Sequence, residues 1–158
     1  MAENKETRFL IDSMLGKLAK WLRVMGFDTH YQPVYTKEEI EKLISGGRLF
    51  ITRNKSYHTK YEPLLLITSS KISDQLHEIK NKNYLHFDLE KSFSRCLLCN
   101  VILVSVKYDD SGYIPEYILD QNPEGISYCP SCERYFWPGS HRKKMLEQIT
   151  HWGLKDKI

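Results

Sequence analysis

The sequence lacks both a long hydrophobic run and an extended block of like charge. No stretch of its 158 residues approaches the roughly 18 consecutive apolar residues of a membrane span, and the first residues are polar. We therefore expect a cytoplasmic protein with neither a membrane segment nor a secretory signal. The formal net charge is only +3, which by itself argues weakly for an anionic partner.

Cysteine is also scarce, and its four occurrences form two CxxC pairs, Cys96 with Cys99 and Cys129 with Cys132. In a reducing cytosol such pairs hold metal more often than they form disulfides. A two-residue spacer brings both thiolates onto one tetrahedral ion, and a second pair completes four sulfurs. The spacing predicts a structural Zn²⁺ site, with buried free cysteines or a redox pair as alternatives. Four sulfurs leave no open position, so the ion would support folding and not hydrolysis.

Short apolar runs alternate with helical periodicity in the first part of the chain. The pattern predicts strands at 8–12, 28–31, 48–52 and 64–68 and helices at 13–25, 36–45 and 73–80. Thr36 and Glu39 match a capping box, and Gly26 suits a helix end. Such alternation indicates an α/β fold, a small parallel sheet flanked by helices.

The remaining residues predict a C-terminal zinc ribbon with a strand at 101–106, a turn at 108–112 and a final helix. We expect two modules, residues 1–90 and 91–158. Trp137 and the basic residues Arg142, Lys143 and Lys144 follow the second cysteine pair. Aromatic and basic side chains together suit single-stranded nucleic acid. The alternative is that the aromatic rings pack the ribbon onto the first module while the basic residues form a solvated helix face.

Several strings resemble the Mut-seven C-terminal RNase domain family, a branch of the PIN-like nucleases. They are residues 9–23, 26–29, 47–53, 74–76, 95–100 and 129–141, and they span nearly the whole chain. The resemblance implies a PIN-like α/β domain followed by a zinc ribbon. It also implies RNA cleavage by acidic side chains with Mg²⁺ or Mn²⁺, ions that prefer carboxylate oxygens.

Acidic residues that match the family's site come mostly from strand and helix ends. Asp12 follows the first strand, where the family has its first acid, and also suits a helix N-cap. Asn54 and Lys37 stand where the family usually has acids, which reduces the attraction for a cation. Asp74 is either a site residue or a first-turn acid that complements the helix dipole. The catalytic candidates are Asp12, Glu38, Glu39, Asn54 and Asp74.

Asp28 matches the family string 26–29 and has two interpretations, a metal neighbour or a turn residue before a strand. Basic residues are expected to hold the RNA backbone, and Lys17, Lys20 and Arg23 recur every three residues, which predicts one shared helix face. The RNA-binding candidates are Lys17, Lys20, Arg23, Arg53, Lys55, Trp137, Arg142, Lys143 and Lys144.

Three functional hypotheses follow. The first is a metal-dependent ribonuclease that acts on single-stranded RNA with a weakened or relocated cation site. The second is a catalytically inactive RNA-binding or ribosome-associated protein that uses the same basic surfaces. The third is a protein-interaction module in which the ribbon binds a protein partner.

Overall fold

A computed structural model describes residues 6–106, 114–123 and 125–155. Its strands are β1 Phe9–Ile11, β2 Thr29–Tyr31, β3 Leu49–Thr52, β4 Leu64–Leu66, β5 Val104–Val106, β6 Ile126–Tyr128 and β7 Tyr135–Phe136. Its α-helices are α1 Gly16–Val24, α2 Lys37–Ser45, α3 Ile72–Asn81, α4 Glu116–Gln121 and α5 Ser140–His151. Short 3-10 turns occupy Ser13–Leu15, Lys55–Tyr57 and Leu89–Lys91.

The first four strands form one parallel sheet in the order β2-β1-β3-β4. Leu10 of β1 stands opposite His30 of β2 and Phe50 of β3. This confirms the predicted α/β fold with a parallel sheet flanked by helices. Each strand is one or two residues shorter than its predicted range, mostly because the polar residues Arg8, Asp12, Asp28 and Arg48 at the predicted ends lie outside the strands.

Both faces of this sheet are covered, which explains the continuous apolar runs. Phe9 and Ile11 point into a large core that includes side chains of α1 and α3. Leu10, which lies between them, and Phe50 of β3 point to the other face, where they pack with Ile40 of α2. The alternation follows from the two-residue period of a strand.

Two helix-end predictions are confirmed. The Thr36 hydroxyl accepts from the Glu39 amide at 3.2 Å, and the Thr36 amide donates to the Glu39 carboxylate at 2.8 Å, so the capping box is complete. Gly26 has a φ of +91°, and a Cβ there would collide with the backbone carbonyl oxygen of Lys91. Only glycine takes this conformation without strain.

The ribbon is an antiparallel sheet in the order β5-β6-β7. Its first strand begins at Val104 and not at 101, because Ile102 instead forms an isolated bridge with Arg95. The predicted turn at 108–112 lies outside the described residues. Helix α4 was not predicted; its Ile118 packs with Ile126 of β6, and six residues are too few for a clear helical period.

The last helix returns to the first sheet. Met145 and Ile149 of α5 lie in the same core cluster as α1 and α3, and the Trp152 ring meets Trp21 of α1 at 4.7 Å between centroids. The division of the chain near residue 90 stays a prediction, and across it α5 shares a hydrophobic core with the first module. In the part of the chain described, no helix combines the length and hydropathy of a membrane span.

Candidate functional site

Asp12 lies at the carboxyl end of β1, in the centre of the parallel sheet. The chain leaves β1 toward β2 on one side and later returns to β3 on the other, so the connections diverge between β1 and β3. Open α/β sheets bind ligands in the crevice that forms at such a switch point. Asp12 is 7% exposed, and the fold therefore places it where a ligand site is expected.

Two hydrogen bonds hold the Asp12 carboxylate. Its Oδ1 accepts from the Ser13 amide at 2.7 Å, which caps the following 3-10 turn. Its Oδ2 accepts from the hydroxyl of Thr52, the last residue of β3, at 2.6 Å. Parallel pairing brings these two strand ends together. The capping role and a site role are compatible, because each carboxylate oxygen has a second lone pair.

The other acidic and amide candidates do not converge on Asp12. The Asn54 side-chain oxygen accepts from both the amide and the hydroxyl of Ser56, at 3.0 and 2.7 Å. Glu39 is occupied by the capping box and by Gln32. Glu38 and Asp74 are exposed in the first turns of α2 and α3. The described residues thus offer one buried carboxylate at this edge.

The ligands required by a divalent cation are only partly present here. Within residues 6–106, 114–123 and 125–155, the cysteines form the only group of three or more Cys, His, Asp or Glu side chains that could share one ion. Asp12 with Glu38, Glu39 or Asp74 does not make such a group. Mg²⁺ is held by one or two carboxylates, water and substrate phosphates, so a cation at Asp12 would need most of its oxygen ligands from water or from a bound phosphate.

Basic side chains surround the same edge of the sheet. Lys17 and Arg53 are exposed and line one cavity, and Lys20 is exposed one turn further along α1. Lys55 is exposed in the turn that follows Asn54. The Arg53 guanidinium also donates to the Thr68 carbonyl at 3.4 Å. A polyanion that approached Asp12 would meet these charges first.

Arg23 is not exposed beside Lys17 and Lys20, so the predicted shared basic helix face is wrong for this residue. It is 7% exposed and donates to the carbonyl oxygens of Thr29, Leu97 and Leu98 at 3.0 to 3.3 Å. Residues spaced by three drift around a helix, which puts Arg23 about 120° from Lys17. Burial lowers the pKa of Arg23. The charges of Cys96 and other neighbours act to raise this pKa but do not outweigh the effect of burial.

Asp28 lies at the opposite, amino-terminal edge of the sheet, so it is not a neighbour of Asp12. Its carboxylate accepts from Arg48 at 2.8 Å and from the Asn100 side chain at 2.7 Å. Burial acts to raise the pKa of Asp28, but these two partners outweigh it and the pKa is lowered. The Asn100 side chain also accepts from the Thr29 amide at 2.9 Å. Asn100 directly follows the first cysteine pair, so its hydrogen bonds with Asp28 and Thr29 connect that pair to the parallel sheet.

The four cysteine sulfurs lie within 4.8 Å of one another. A tetrahedral zinc site with Zn–S bonds of about 2.3 Å has sulfurs about 3.8 Å apart, and the Cys96 and Cys132 sulfurs are 3.7 Å apart. Both pairs come from tight turns in which a main-chain amide returns to the first cysteine, as from Asn100 to the Cys96 carbonyl at 2.9 Å. The cluster could hold one structural metal ion such as zinc, with no position left for a substrate.

The aromatic and basic residues after the second pair divide between packing and exposure. Trp137 is 40% exposed, whereas the Arg142 guanidinium lies over the Phe93 ring at 4.7 Å. Burial lowers the pKa of Arg142. Lys143 and Lys144 are exposed on α5. Arg142 thus contributes to the contact between α5 and the segment before the first pair, while the two lysines are available to a partner.

Three residues near the site were not predicted from the sequence. Thr52 was seen only as a strand end, although parallel pairing with β1 would have placed it beside Asp12. Lys71 and Gln75 lie at the start of α3 and line the cavity that Lys17 and Arg53 share. They could have been predicted from the position of α3 in the chain. A helix that follows a parallel strand has its first turn at the carboxyl edge of the sheet.

Of three comparisons with known proteins, one gives a match. No curated protein and no solved structure matches the chain. The family model described as the Mut7-C RNAse domain matches residues 7–149, which takes in the parallel sheet, the cysteine cluster and most of α5. With a match over most of its length, the chain belongs to the Mut7-C RNAse domain family.

Proposed function

We propose that the protein processes single-stranded RNA as a PIN-like ribonuclease, at the carboxyl edge of the sheet β2-β1-β3-β4. The observation that carries the proposal is the position of Asp12 at the switch point between β1 and β3, held by Thr52 at 2.6 Å. Membership of an RNase domain family indicates a nuclease or RNA-processing role. Asp12 is the buried carboxylate that this edge supplies for such chemistry.

A Mg²⁺ or Mn²⁺ ion at this edge would rest on Asp12 and on oxygens of water and RNA. When bound, such an ion would neutralise charge on the phosphate. Ser13 and Thr52 would orient the Asp12 carboxylate. Lys17, Arg53 and neighbouring cations would bind the phosphates of the RNA backbone. Because one carboxylate binds a divalent cation weakly, we expect slow cleavage and weak affinity for the cation without RNA.

The alternative is a catalytically inactive RNA-binding or ribosome-associated protein. It is favoured by one observation, the side-chain oxygen of Asn54, which is already occupied by Ser56 and carries no charge. Both proposals use the same exposed cations, so binding alone does not separate them. Turnover does.

The test is cleavage of an end-labelled single-stranded RNA in Mn²⁺ by the wild type and by Asp12→Asn. Asparagine is as good an N-cap as aspartate, so this variant removes the charge and preserves the turn. The matched control is Asp120→Asn, since Asp120 is exposed in α4. Cleavage by wild type and control with loss in Asp12→Asn supports the ribonuclease. Equal cleavage by all three proteins contradicts it.

RNA binding without turnover in any condition would support the alternative. That binding should weaken with salt, because it rests on contacts with phosphates. Lys17→Glu and Lys143→Glu should reduce the affinity, whereas Lys82→Glu, at the far end of α3, should not. A pull-down that survives nuclease treatment would instead indicate a protein partner for the ribbon.

A further inference from the structure

An open cavity of about 450 Å³ lies between α1 and the first turn of α3. One wall carries three cationic side chains, Lys17, Arg53 and Lys71. Each of these residues follows the carboxyl end of a parallel strand, so the cavity opens at the same edge as Asp12. Three cations converging on one concave surface favour an anionic ligand.

Apolar and aromatic side chains form part of the remaining lining, together with the polar residues Ser70, Ser73 and Gln75. Met14 and Leu15 come from the turn that follows Asp12, and Trp152 comes from the end of α5. Met14 is 58% exposed, so its apolar side chain is open to contact with a ligand. A ligand with a flat apolar part and an anionic part matches both walls.

The N-terminus of α3 adds main-chain donors to the cationic wall. Lys71, its N-cap, makes no side-chain capping bond. Among the described residues, the first amide of this ten-residue helix with a backbone acceptor is that of Gln75, which donates to the Lys71 carbonyl at 2.9 Å. The preceding amides and the helix dipole favour an anion at this position.

Gln75 supplies an independent indication that a ligand belongs here. It is 3% exposed and lines the cavity. Its Nε2 donates to the Ser69 carbonyl at 2.9 Å, which sets the orientation of the amide. Its Oε1 is buried and has no hydrogen-bond donor. An unpaired buried acceptor costs about 1–3 kcal/mol. Because Oε1 has almost no accessible surface, a ligand hydroxyl would remove that cost only after the Gln75 side chain turned toward the cavity.

We propose that this cavity binds one ribonucleotide unit of single-stranded RNA. The phosphate meets Lys17, Arg53, Lys71 and the first amides of α3, a ribose hydroxyl donates to Gln75 Oε1, and the base lies against the apolar wall. DNA lacks the 2′-hydroxyl, so Gln75 gives the site a preference for RNA. The inference rests on the proposed function, because it assumes RNA as the substrate and holds the strand beside Asp12.

The test is fluorescence anisotropy with a labelled ten-nucleotide single-stranded RNA and the DNA of the same sequence. The protein is full-length and zinc-loaded, carries Asp12→Asn so that nothing is cleaved, and is studied without Mg²⁺, Mn²⁺ or chelator. The variants are Lys71→Ala, Gln75→Met and, as the matched control, Lys82→Ala, because Lys82 caps the opposite end of α3. Circular dichroism and zinc content establish that each variant is folded.

We expect RNA to bind more tightly than DNA. Lys71→Ala should weaken both ligands and reduce the slope of log affinity against log salt by about 0.7, the value for one phosphate contact on a single strand. Gln75→Met should weaken RNA by about threefold or more, leave DNA affinity unchanged and leave the salt slope unchanged, because it removes no charge. Lys82→Ala should behave like the parent.

Two outcomes would overturn the proposal. One is a Lys71→Ala variant that binds like Lys82→Ala, since the cavity would then hold no phosphate. The other is equal affinity of the parent protein for RNA and DNA, which stands even if Gln75→Met fails to fold. The result is independent of cleavage: an inactive protein with the expected binding pattern refutes the ribonuclease and retains this site.

Discussion

The guanidinium of Arg23 in α1 donates to the carbonyl oxygen of Leu97, 74 residues away in sequence, at 3.0 Å. Leu97 lies between Cys96 and Cys99, so a helix of the parallel-sheet domain holds the first cysteine turn directly. The same guanidinium reaches Leu98 and Thr29. The cysteine cluster and the parallel-sheet domain are therefore parts of one connected structure.

Arg23→Ala should destabilise the protein by about 2–4 kcal/mol, because three carbonyl oxygens lose a charged donor and a buried side chain is removed. Chemical denaturation followed by circular dichroism measures the effect. Lys20→Ala is the matched control, since Lys20 is exposed on the same helix and should change stability by less than about 0.5 kcal/mol. If the Arg23→Ala variant were as stable as this control but bound RNA weakly, Arg23 would be assigned to RNA binding and not to the stability of the fold.

Removing the metal should unfold the ribbon while the parallel sheet persists. Four thiolates that converge without their ion repel one another, and structural zinc contributes directly to folding. We expect loss of the amide signals of β5, β6 and β7 in a heteronuclear NMR spectrum after chelation, with those of β1 to β4 retained. Cys129→Ser should have the same effect without chelator. Unchanged ribbon signals in the chelated protein would contradict a structural metal.

The ion pair of Asp28 with Arg48 should make stability depend on acid pH. The folded-state pKa of Asp28 is lowered by its partners, so its contribution is present above the unfolded value of about 3.9. It is lost as pH falls through the lower folded pKa. Asp28→Asn should cost about 1–3 kcal/mol at neutral pH.

The measurement for Asp28 is the unfolding free energy of wild type and variant at several pH values. The difference between them should shrink below the unfolded pKa and vanish at strongly acid pH. Asp88→Asn is the control, since Asp88 is exposed and caps a short turn. A difference independent of pH would mean that Asp28 acts through packing and not through its charge.

Thr52→Val should separate the orientation of Asp12 from its charge. The substitution preserves shape but removes the donor to Asp12 Oδ2 and the acceptor of the Asn54 amide. We expect a loss of stability of about 1–3 kcal/mol and a reduced RNA cleavage rate with the carboxylate still in place. Single-turnover cleavage, compared with Asp12→Asn, measures the second effect. Wild-type cleavage by a folded Thr52→Val protein would show that Thr52 does not orient the carboxylate for function.

Local features were predictable because each depends on neighbours within one turn or one strand. The capping box of Thr36 and Glu39, the helix stop at Gly26 and the cysteine pairs are all of this kind. Helix α4 was not predicted because six residues are too few to show a helical period. The burial of Arg23 was not predicted because residue spacing defines a helix face but does not show which segment packs against it.

The sequence by itself determined the alternation of strands and helices, the two cysteine pairs that could hold a metal ion, and the position of Asp12 at a strand end. Each of these features follows from the periodicity or the spacing of residues along the chain. Only the tertiary structure decided that Asp12 meets Thr52, that Asp28 lies at the other edge, and that Lys71 and Gln75 join Lys17 and Arg53 around one cavity. These contacts join residues far apart in sequence, and strand order and helix packing, which no local pattern records, bring them together.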